Sequence, residues 1–217
     1  MELYVEELGV VRDALGLDRV HILGHSWGGQ LALEYALTKP KGIESLILTD
    51  SLADMSQWVS EANRLRSELP QDIQSVLDKH ESEGTIDDPE YEEATMEFYR
   101  RHMCRLEKWP EVLNRTFEKF MKYPQVYATM WGPTEFNVTG SLKGWSIVER
   151  LKEIEVPTLI LSGRYDESTP LINETLHNGI SGSEWVVFEN SSHMPHLEEP
   201  EKYLKVLNEH LNKVESL

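Results

Sequence analysis

Cysteine and positive charge are both scarce in this chain of 217 residues, and each scarcity narrows what the protein can be. Cys104 is the single cysteine, so no disulfide can form within the chain and a reducing compartment is the default. The 21 basic residues are outnumbered by 38 acidic ones, which gives a net charge of −17. A field of that sign repels nucleic acid and anionic membrane surfaces, so the sequence predicts neither as a partner. A cationic group on a substrate would instead be attracted.

Long apolar runs and targeting signals are also missing from the sequence. No apolar run approaches the ~18 residues that a membrane span needs. The first seven residues, M-E-L-Y-V-E-E, lack the basic and apolar regions of a signal peptide. We therefore expect a cytoplasmic protein.

A serine between glycines lies at the junction of a predicted strand and a predicted helix. A short β-rich apolar run at 20–23 precedes G-H-S-W-G (24–28), and an apolar helix follows it and ends before Thr38-Lys39-Pro40. This context favours a nucleophile elbow, in which Ser26 takes a strained backbone conformation at the tip of a sharp turn. Side chains in place of Gly24 and Gly28 are expected to clash with the neighbouring strand and helix.

The same turn provides a hydrogen-bond donor. The backbone N–H of Trp27 lies at the positive end of the helix, where it can donate to a developing oxyanion. A glycine-rich turn with an incidental serine is the alternative interpretation. A phosphate-binding loop is excluded, because no Gly-Lys-Ser/Thr follows the glycines.

Strand patterns occur on both sides of a long segment that has none. Further strands are predicted at 43–49, 158–162 and 183–188, and helices at about 3–15, 171–180 and 200–213. Between them, prolines at intervals of 14 to 21 residues divide the segment 52–145 into four or five short helices: Pro70, Pro89, Pro110 and Pro124. The sequence therefore predicts an α/β fold with a mostly parallel sheet, formed by 1–51 and 146–217, and an inserted all-helical cap at 52–145.

The ends of the predicted strands carry the partners that a nucleophilic serine needs. Such a serine requires a base within hydrogen-bond reach and an acid that orients the base, and after this type of elbow the chain order is serine, acid, histidine. Asp166 follows the strand that ends at Ser162, and His193 follows the strand that ends at Phe188. Because the carboxyl ends of parallel strands meet at one edge, Ser26, Asp166 and His193 are expected to converge there.

Other residues compete for these roles. Asp50 also follows a strand and is the alternative acid, and His196 is the alternative base, although Pro195 makes it look like the start of the last helix. His193-x-x-His196 could suggest a metal, but no third ligand stands at a recognisable spacing, so neither a metal nor a cofactor is predicted. His25 is expected to pack or to hydrogen-bond locally.

Four segments resemble the proline iminopeptidases of the α/β-hydrolase superfamily, in particular the tricorn-associated type of aminopeptidase. They are G-H-S-W-G-G-Q-L-A-L-E-Y-A, M-W-G-P-T-E-F-N-V-T-G-S-L-K-G-W, S-G-R-Y-D-E-S-T-P and S-S-H-M-P-H-L-E-E-P. The resemblance implies the α/β-hydrolase fold, with 1–51 and 146–217 as the two parts of the hydrolase core. It also implies Ser26 as nucleophile with Asp166 and His193 as its partners.

The resemblance further implies a reaction and a substrate. Such an enzyme removes amino-terminal residues, with proline preferred, from short peptides or aminoacyl amides through an acyl-enzyme. Glu135 and Glu167 would bind the free α-amino group of the substrate, since carboxylates form charge-assisted hydrogen bonds with an ammonium. The alternative for each glutamate is a surface residue or a salt bridge.

One departure from the family concerns the start of the chain. Family members begin with several strands and an H-G-G-P-type loop before the helix that opens this sequence. Without them, the strand at 20–23 is expected to leave an unpaired, apolar sheet edge. The loop usually gives the second oxyanion donor, and losing one such donor costs roughly 10²–10³ in rate.

Two alternative functions follow from that departure. The first is a small carboxylesterase or amino-acid amidase, because esters have better leaving groups and need less stabilisation of the transition state. The second is a truncated, weakly active or inactive relative that is stabilised as a homodimer through the exposed sheet edge.

Overall fold

The computed structural model describes residues 1–216, which form two compact units. The first unit combines Met1–Asp54 with the segment from Ile147 onwards, and the second unit is Met55–Ser146. Among the described residues, no helix combines the length and the apolar character that crossing a membrane requires.

The first unit opens with two strands that alternate with two helices. These elements are α1 (Glu2–Leu15), β1 (Val20–His25), α2 (Trp27–Leu37) and β2 (Ile43–Thr49). Gly16 ends α1 in the left-handed conformation at φ 65°, where glycine has no steric cost. The predicted strand, turn and helix around Ser26 are confirmed, and β1 runs two residues further than expected, to His25.

The second unit contains the predicted short helices. They are α3 (Met55–Ser67), α4 (Gln71–Glu83), α5 (Pro89–His102), α6 (Glu111–Lys122) and α7 (Gln125–Met130). Asp88 caps α5 by accepting a hydrogen bond from the Glu90 N–H at 2.9 Å. The described residues 131–146 carry no helix or regular strand, as expected for that stretch. The indole of Trp58 is fully buried in this unit and donates to the Glu135 carbonyl at 2.8 Å.

The first unit resumes with strands and helices in the predicted order. A 3₁₀ helix (Val148–Glu153) precedes β3 (Thr158–Gly163), α8 (Pro170–Gly179), β4 (Glu184–Phe188), α9 (Pro195–Glu198) and α10 (Pro200–Glu215). The sequence did not predict α9, because four residues are too few to show a helical period.

The four strands form one parallel sheet in the order β1-β2-β3-β4. One row of paired residues crosses the whole sheet: Gly24, Leu48, Ile160 and Trp185. Beyond this row, towards the carboxyl ends of the strands, lie the turn at Ser26 and the loops after β2, β3 and β4. The sheet therefore brings the carboxyl ends of its strands to one edge, and the predicted α/β fold with a parallel sheet is confirmed.

A buried apolar cluster fixes the last helix on the sheet. Ile47, Leu159, Leu161, Phe188 and Tyr203 are all buried and pack together. Side chains of α10 at Val206, Leu207 and Leu211 pack against this cluster. Burial of each such side chain stabilises the fold by about 1.5–3 kcal/mol, so α10 holds the β4 end in place.

β1 lies at an edge of the sheet, because β2 is its single strand partner within residues 1–216. Leu23 on this strand is 47% exposed. Exposed apolar side chains also lie on α1 and just after it: Leu3, Val10, Val11, Leu15 and Leu17. The edge strand thus exposes one large apolar side chain, and a homodimer through this edge stays a prediction.

Candidate active site

Ser26 lies between β1 and α2 in a backbone conformation that residues other than glycine rarely adopt. Its φ is 54° and its ψ is −123°, so the predicted backbone strain is confirmed. Three hydrogen bonds hold this backbone: the Ser26 N–H donates to the Thr49 carbonyl at 2.9 Å, and the Ser26 carbonyl accepts from the Gly29 N–H at 2.9 Å and from Ser51 Oγ at 3.0 Å. The surrounding structure therefore fixes the strained turn.

Two glycines allow the chain to pack tightly around this turn, but they are not the expected pair. A Cβ at Gly24 would overlap the backbone of Gly28, so the expected clash there is confirmed. A Cβ at Gly28 would meet no described atom within 4 Å, so the expected clash at that position is wrong. A Cβ at Gly29 would instead overlap the side chain of Ser51. The second close approach thus lies one residue later, because α2 packs against the loop after β2.

Asp166 and His193 form a buried hydrogen-bonded pair. Asp166 Oδ1 lies 2.7 Å from His193 Nδ1, and the two side chains are 0% and 3% exposed. Asp166 Oδ1 also accepts from the Ser168 N–H at 2.9 Å. A carboxylate can only accept, so His193 Nδ1 carries the proton and Nε2 is left as the basic nitrogen.

Two glutamates, neither of which the sequence analysis identified, hold the loop around His193. Glu198 Oε2 accepts from the backbone N–H groups of Ser192 at 2.8 Å and Met194 at 3.2 Å, on both sides of the histidine. Glu199 Oε2 accepts from the Asn190 N–H at 3.1 Å and from Ser191 Oγ at 2.7 Å. The E-E-P sequence before α10 carries both residues, although nothing in its pattern shows that they turn back onto the preceding loop.

His25 links the nucleophile turn to the histidine loop. Burial, and then the charge of His193, lower the pKa of His25 to about 3, so its ring is neutral at physiological pH. The neutral ring donates Nε2–H to the His193 carbonyl at 2.8 Å, and the two rings are 4.8 Å apart. His25 thus hydrogen-bonds as expected, but with a partner far away in sequence. The contact brings the residue before Ser26 against His193.

The two competing residues have other positions. His196 lies on α9, and burial, followed by the charge of His193, lowers its pKa. Asp50 is fully buried after β2, and its Oδ1 accepts from the Gly163 N–H at 3.0 Å. Burial, followed by the negative charge of Asp166, raises the pKa of Asp50 well above its usual range. Asp50 therefore follows the strand next to the one that leads to Asp166, the residue bonded to His193.

The two glutamates implied as amine-binding residues lie in different units. Glu167 is 1% exposed, and its Oε1 lies 3.8 Å from His193 Nε2 in the first unit. Glu135 belongs to the second unit, where its Oε1 accepts from the Tyr127 hydroxyl at 2.7 Å. Trp27 is the first residue of α2, which puts its backbone N–H at the positive end of that helix.

Within the described part of the chain, one group of three side chains could hold a metal ion, and neither His193 nor His196 belongs to it. It consists of His80, Asp88 and Glu90 in the second unit. Glu90 Oε2 already contacts His80 Nε2 at 3.0 Å and Lys79 Nζ at 2.9 Å, and Asp88 caps α5. These contacts account for the cluster as a structural feature of the α4–α5 connection.

Comparison with known proteins places the chain among the α/β hydrolases. Residues 2–200 match the family model of the alpha/beta hydrolase fold. A proline iminopeptidase of Heyndrickxia coagulans is 42% identical over 214 residues, which cover 99% of this chain and 74% of that protein.

Two solved structures agree with this placement. The crystal structure of VinJ superposes with a TM-score of 0.94 at 40% identity, covering 100% of this chain and 72% of that one. The crystal structure of a proline iminopeptidase from Mycobacterium smegmatis gives a TM-score of 0.90 at 40% identity, covering 98% of this chain and 71% of that one. These likenesses extend over both the sheet-bearing and the helical unit. The chain therefore belongs to the proline iminopeptidase family of the α/β hydrolases.

Proposed function

We propose that this protein is a serine hydrolase that removes amino-terminal residues, proline preferred, from short peptides or aminoacyl amides. The observation that carries the proposal is the buried Asp166–His193 pair, joined through His25 to the strained turn of Ser26. The family membership of the chain supports the choice of substrate, because its relatives at about 42% identity are named proline iminopeptidases.

In the proposed reaction, Ser26 Oγ attacks the carbonyl carbon of the amino-terminal residue while His193 Nε2 takes the hydroxyl proton. Asp166 stabilises the imidazolium that forms, and the Trp27 N–H donates to the oxyanion. His193 then gives its proton to the leaving amine, which breaks the scissile bond and leaves an acyl-enzyme. Water attacks this ester with the help of the same histidine and releases the free amino acid.

A free amino terminus would be recognised by charge. Glu167 is buried and lies 3.8 Å from His193 Nε2, so an ammonium beside it would be close to the reacting carbonyl. We propose that Glu167 binds this ammonium, and the amine-binding role of Glu135 in the second unit stays a prediction. Recognition of the ammonium by a carboxylate would also disfavour peptides with a blocked amino terminus. Such a preference for free amino termini is the property of an exopeptidase.

The observations favour this function over the two alternatives, a small esterase or amidase and an inactive relative. An ester substrate without an amino group would not use Glu167, and the named relatives favour peptide substrates over simple esters. An inactive relative would not need the buried pair and the strained serine together. The cytoplasmic location and the absence of nucleic-acid and membrane partners stay predictions.

The kinetics of Ser26→Ala test the proposal. The variant should lower kcat/KM for proline arylamides by roughly 10⁴-fold or more, since the nucleophile is removed while the fold is kept. Ser67→Ala, which changes an exposed serine at the end of α3, is the matched control and should keep wild-type rates. Undiminished turnover by Ser26→Ala would refute the proposal. Faster turnover of uncharged acyl esters than of proline arylamides by the wild type would favour the esterase.

A further inference from the structure

Two carboxyl groups lie against each other behind His193. Asp50 follows β2 and Asp166 follows β3, and these neighbouring strands pair up to Thr49 and Leu161. Asp50 is 0% exposed and Asp166 is 1% exposed. Burial, followed by the negative charge of Asp166, raises the pKa of Asp50 well above its usual range. Two ionised carboxylates close together in a buried site repel each other, so we expect the pair to hold one proton.

The donors around the pair show which member carries the charge. Asp166 Oδ1 accepts two hydrogen bonds, from His193 Nδ1 at 2.7 Å and from the Ser168 N–H at 2.9 Å. Asp50 Oδ1 accepts one, from the Gly163 N–H at 3.0 Å. Because more donors stabilise the ionised form of Asp166, the proton belongs on Asp50.

The other carboxyl oxygen of each residue, Oδ2, is also consistent with a proton on Asp50. Asp50 Oδ2 and Asp166 Oδ2 are both buried, and no donor among the described residues reaches either of them. A proton on Asp50 Oδ2 that is donated to Asp166 would satisfy both atoms at once. Without it, two negative charges would lie together in a buried site, which is strongly unfavourable.

The other titratable groups around Asp50 do not neutralise it. Glu198 adds negative charge nearby. Asp50 Oδ2 lies 3.8 Å from His25 Nε2, but burial lowers the pKa of His25 to about 3 and leaves that ring uncharged. The Tyr203 hydroxyl also faces the site and shares a hydrogen bond of 2.9 Å with Thr49 Oγ1. Burial raises the pKa of Tyr203, so this hydroxyl is neutral as well. The surroundings therefore favour the protonated form of Asp50.

We propose that Asp50 is a positioning residue that stays protonated at the working pH and hydrogen-bonds to Asp166, holding that carboxylate against His193 Nδ1. This inference rests on the proposed serine-hydrolase function. Asp50 touches neither the substrate nor the reacting atoms. Its hydrogen bond fixes the orientation of Asp166, and its proton keeps a second negative charge away from the histidine.

Two variants separate the hydrogen bond from the charge. Asp50→Asn keeps an oxygen for the Gly163 N–H and presents an amide N–H to Asp166, whereas Asp50→Ala removes both. We expect Asp50→Ala to lower kcat for proline arylamides by roughly 10- to 100-fold with little change in KM, and Asp50→Asn to recover most of that loss. The midpoint of the acidic limb of the kcat/KM profile should be the same in Asp50→Asn and wild type, because both are neutral at residue 50.

Stability gives an independent measurement. A group whose pKa is raised on folding weakens the fold as the pH climbs above its unfolded pKa, since the folded state must keep a proton that the unfolded state releases. The urea midpoint of Asp50→Asn should therefore rise relative to wild type between pH 4 and 7. A pH-independent difference would overturn the proposal. So would an acidic limb displaced downward by about one pH unit in Asp50→Asn, the sign of a lost negative charge.

These measurements also distinguish the inference from the proposed function. The rate of inactivation by a fluorophosphonate reports on Ser26 and His193 whatever substrate the enzyme prefers. If the wild type reacts with the fluorophosphonate but does not cleave proline arylamides, the substrate assignment fails, and the same pH profiles for inactivation still test Asp50. If Asp50→Ala reacts as fast as wild type, Asp50 has no positioning role.

Discussion

At the scale of single residues, the site depends on a serine whose backbone is strained and on neighbours that fix it. A positive φ at a non-glycine residue costs of order 1–3 kcal/mol and persists only where the surroundings impose it. At Ser26 they do so through Thr49, Ser51 and Gly29, which hydrogen-bond to its backbone. A turn of this kind lifts the serine hydroxyl out of the strand, as the proposed role of Ser26 as nucleophile requires.

Alanine in place of Gly24 or Gly28 should have opposite effects on stability. Gly24→Ala brings a Cβ against the backbone of Gly28 and should destabilise the fold by roughly 1–3 kcal/mol or more. Gly28→Ala meets no described atom within 4 Å and removes a glycine from α2, so it should stabilise by roughly 0.5–1 kcal/mol. Urea denaturation measures both, and equal effects of the two substitutions would contradict this account of the turn.

At the scale of elements, the short connection between β4 and α10 determines where His193 lies. The loop is held by carboxylates that follow it, and both Glu198 and Glu199 accept hydrogen bonds from its backbone or side chains. Gly163 allows the end of β3 to pack against the same loop, because a Cβ there would overlap the carbonyl oxygen atoms of Ser191 and Ser192. The histidine is therefore oriented by the loop as a whole.

Loss of the Glu198 carboxylate should impair catalysis more than binding. Glu198→Ala releases the N–H groups of Ser192 and Met194, and the resulting shift of His193 should lower kcat by roughly 10- to 100-fold. Glu198→Gln keeps one accepting oxygen and should lose less. Glu201→Ala, an exposed residue in the first turn of α10, is the control. Comparable kcat values for Glu198→Ala and Glu201→Ala would show that the loop does not need this carboxylate.

Much of this element structure could be predicted from sequence, for identifiable reasons. The strands at Ile43–Thr49 and Thr158–Gly163 each contain three consecutive apolar residues, as expected for buried parallel strands, and the glycines around Ser26 restrict the turn to one kind of geometry. Parallel order then brings Asp166 and His193 to the same edge as the serine.

What could not be predicted depends on contacts between distant residues. The clash expected at Gly28 lies one residue later, at Gly29, because the position of Ser51 against α2 is set by tertiary packing. The hydrogen bond of His25 to the His193 carbonyl and the pairing of Asp50 with Asp166 likewise join residues far apart in the chain. Spacing and periodicity carry no information on such contacts, which come from how the strands are ordered in the sheet.

At the scale of the whole molecule, net charge should influence which substrates reach the site. With a net charge of −17, the protein attracts cations over distances of the order of the Debye length, about 10 Å at 0.1 M salt. A substrate with a free amino terminus carries the opposite charge, whereas a blocked peptide or a simple ester does not.

Ionic strength should therefore affect charged and uncharged substrates differently. For an aminoacyl arylamide with a free ammonium, kcat/KM should fall roughly three- to tenfold as salt rises from about 0.02 to 0.5 M, because salt screens the attraction. An uncharged acyl ester of similar size should show little change, which makes it the internal control. Equal salt dependence of the two substrates would show that the charge of the protein does not guide the ammonium.

The proposed function requires the hydroxyl of Ser26 to be the nucleophile, and this is tested by locating the residue that a fluorophosphonate modifies. Mass spectrometry of the labelled and digested protein should find one adduct, on Ser26, with a labelling rate that rises with pH as the His193 imidazole loses its proton. Ser26→Ala should show no adduct. An adduct on another serine, or hydrolysis of proline arylamides without any adduct on Ser26, would contradict the account.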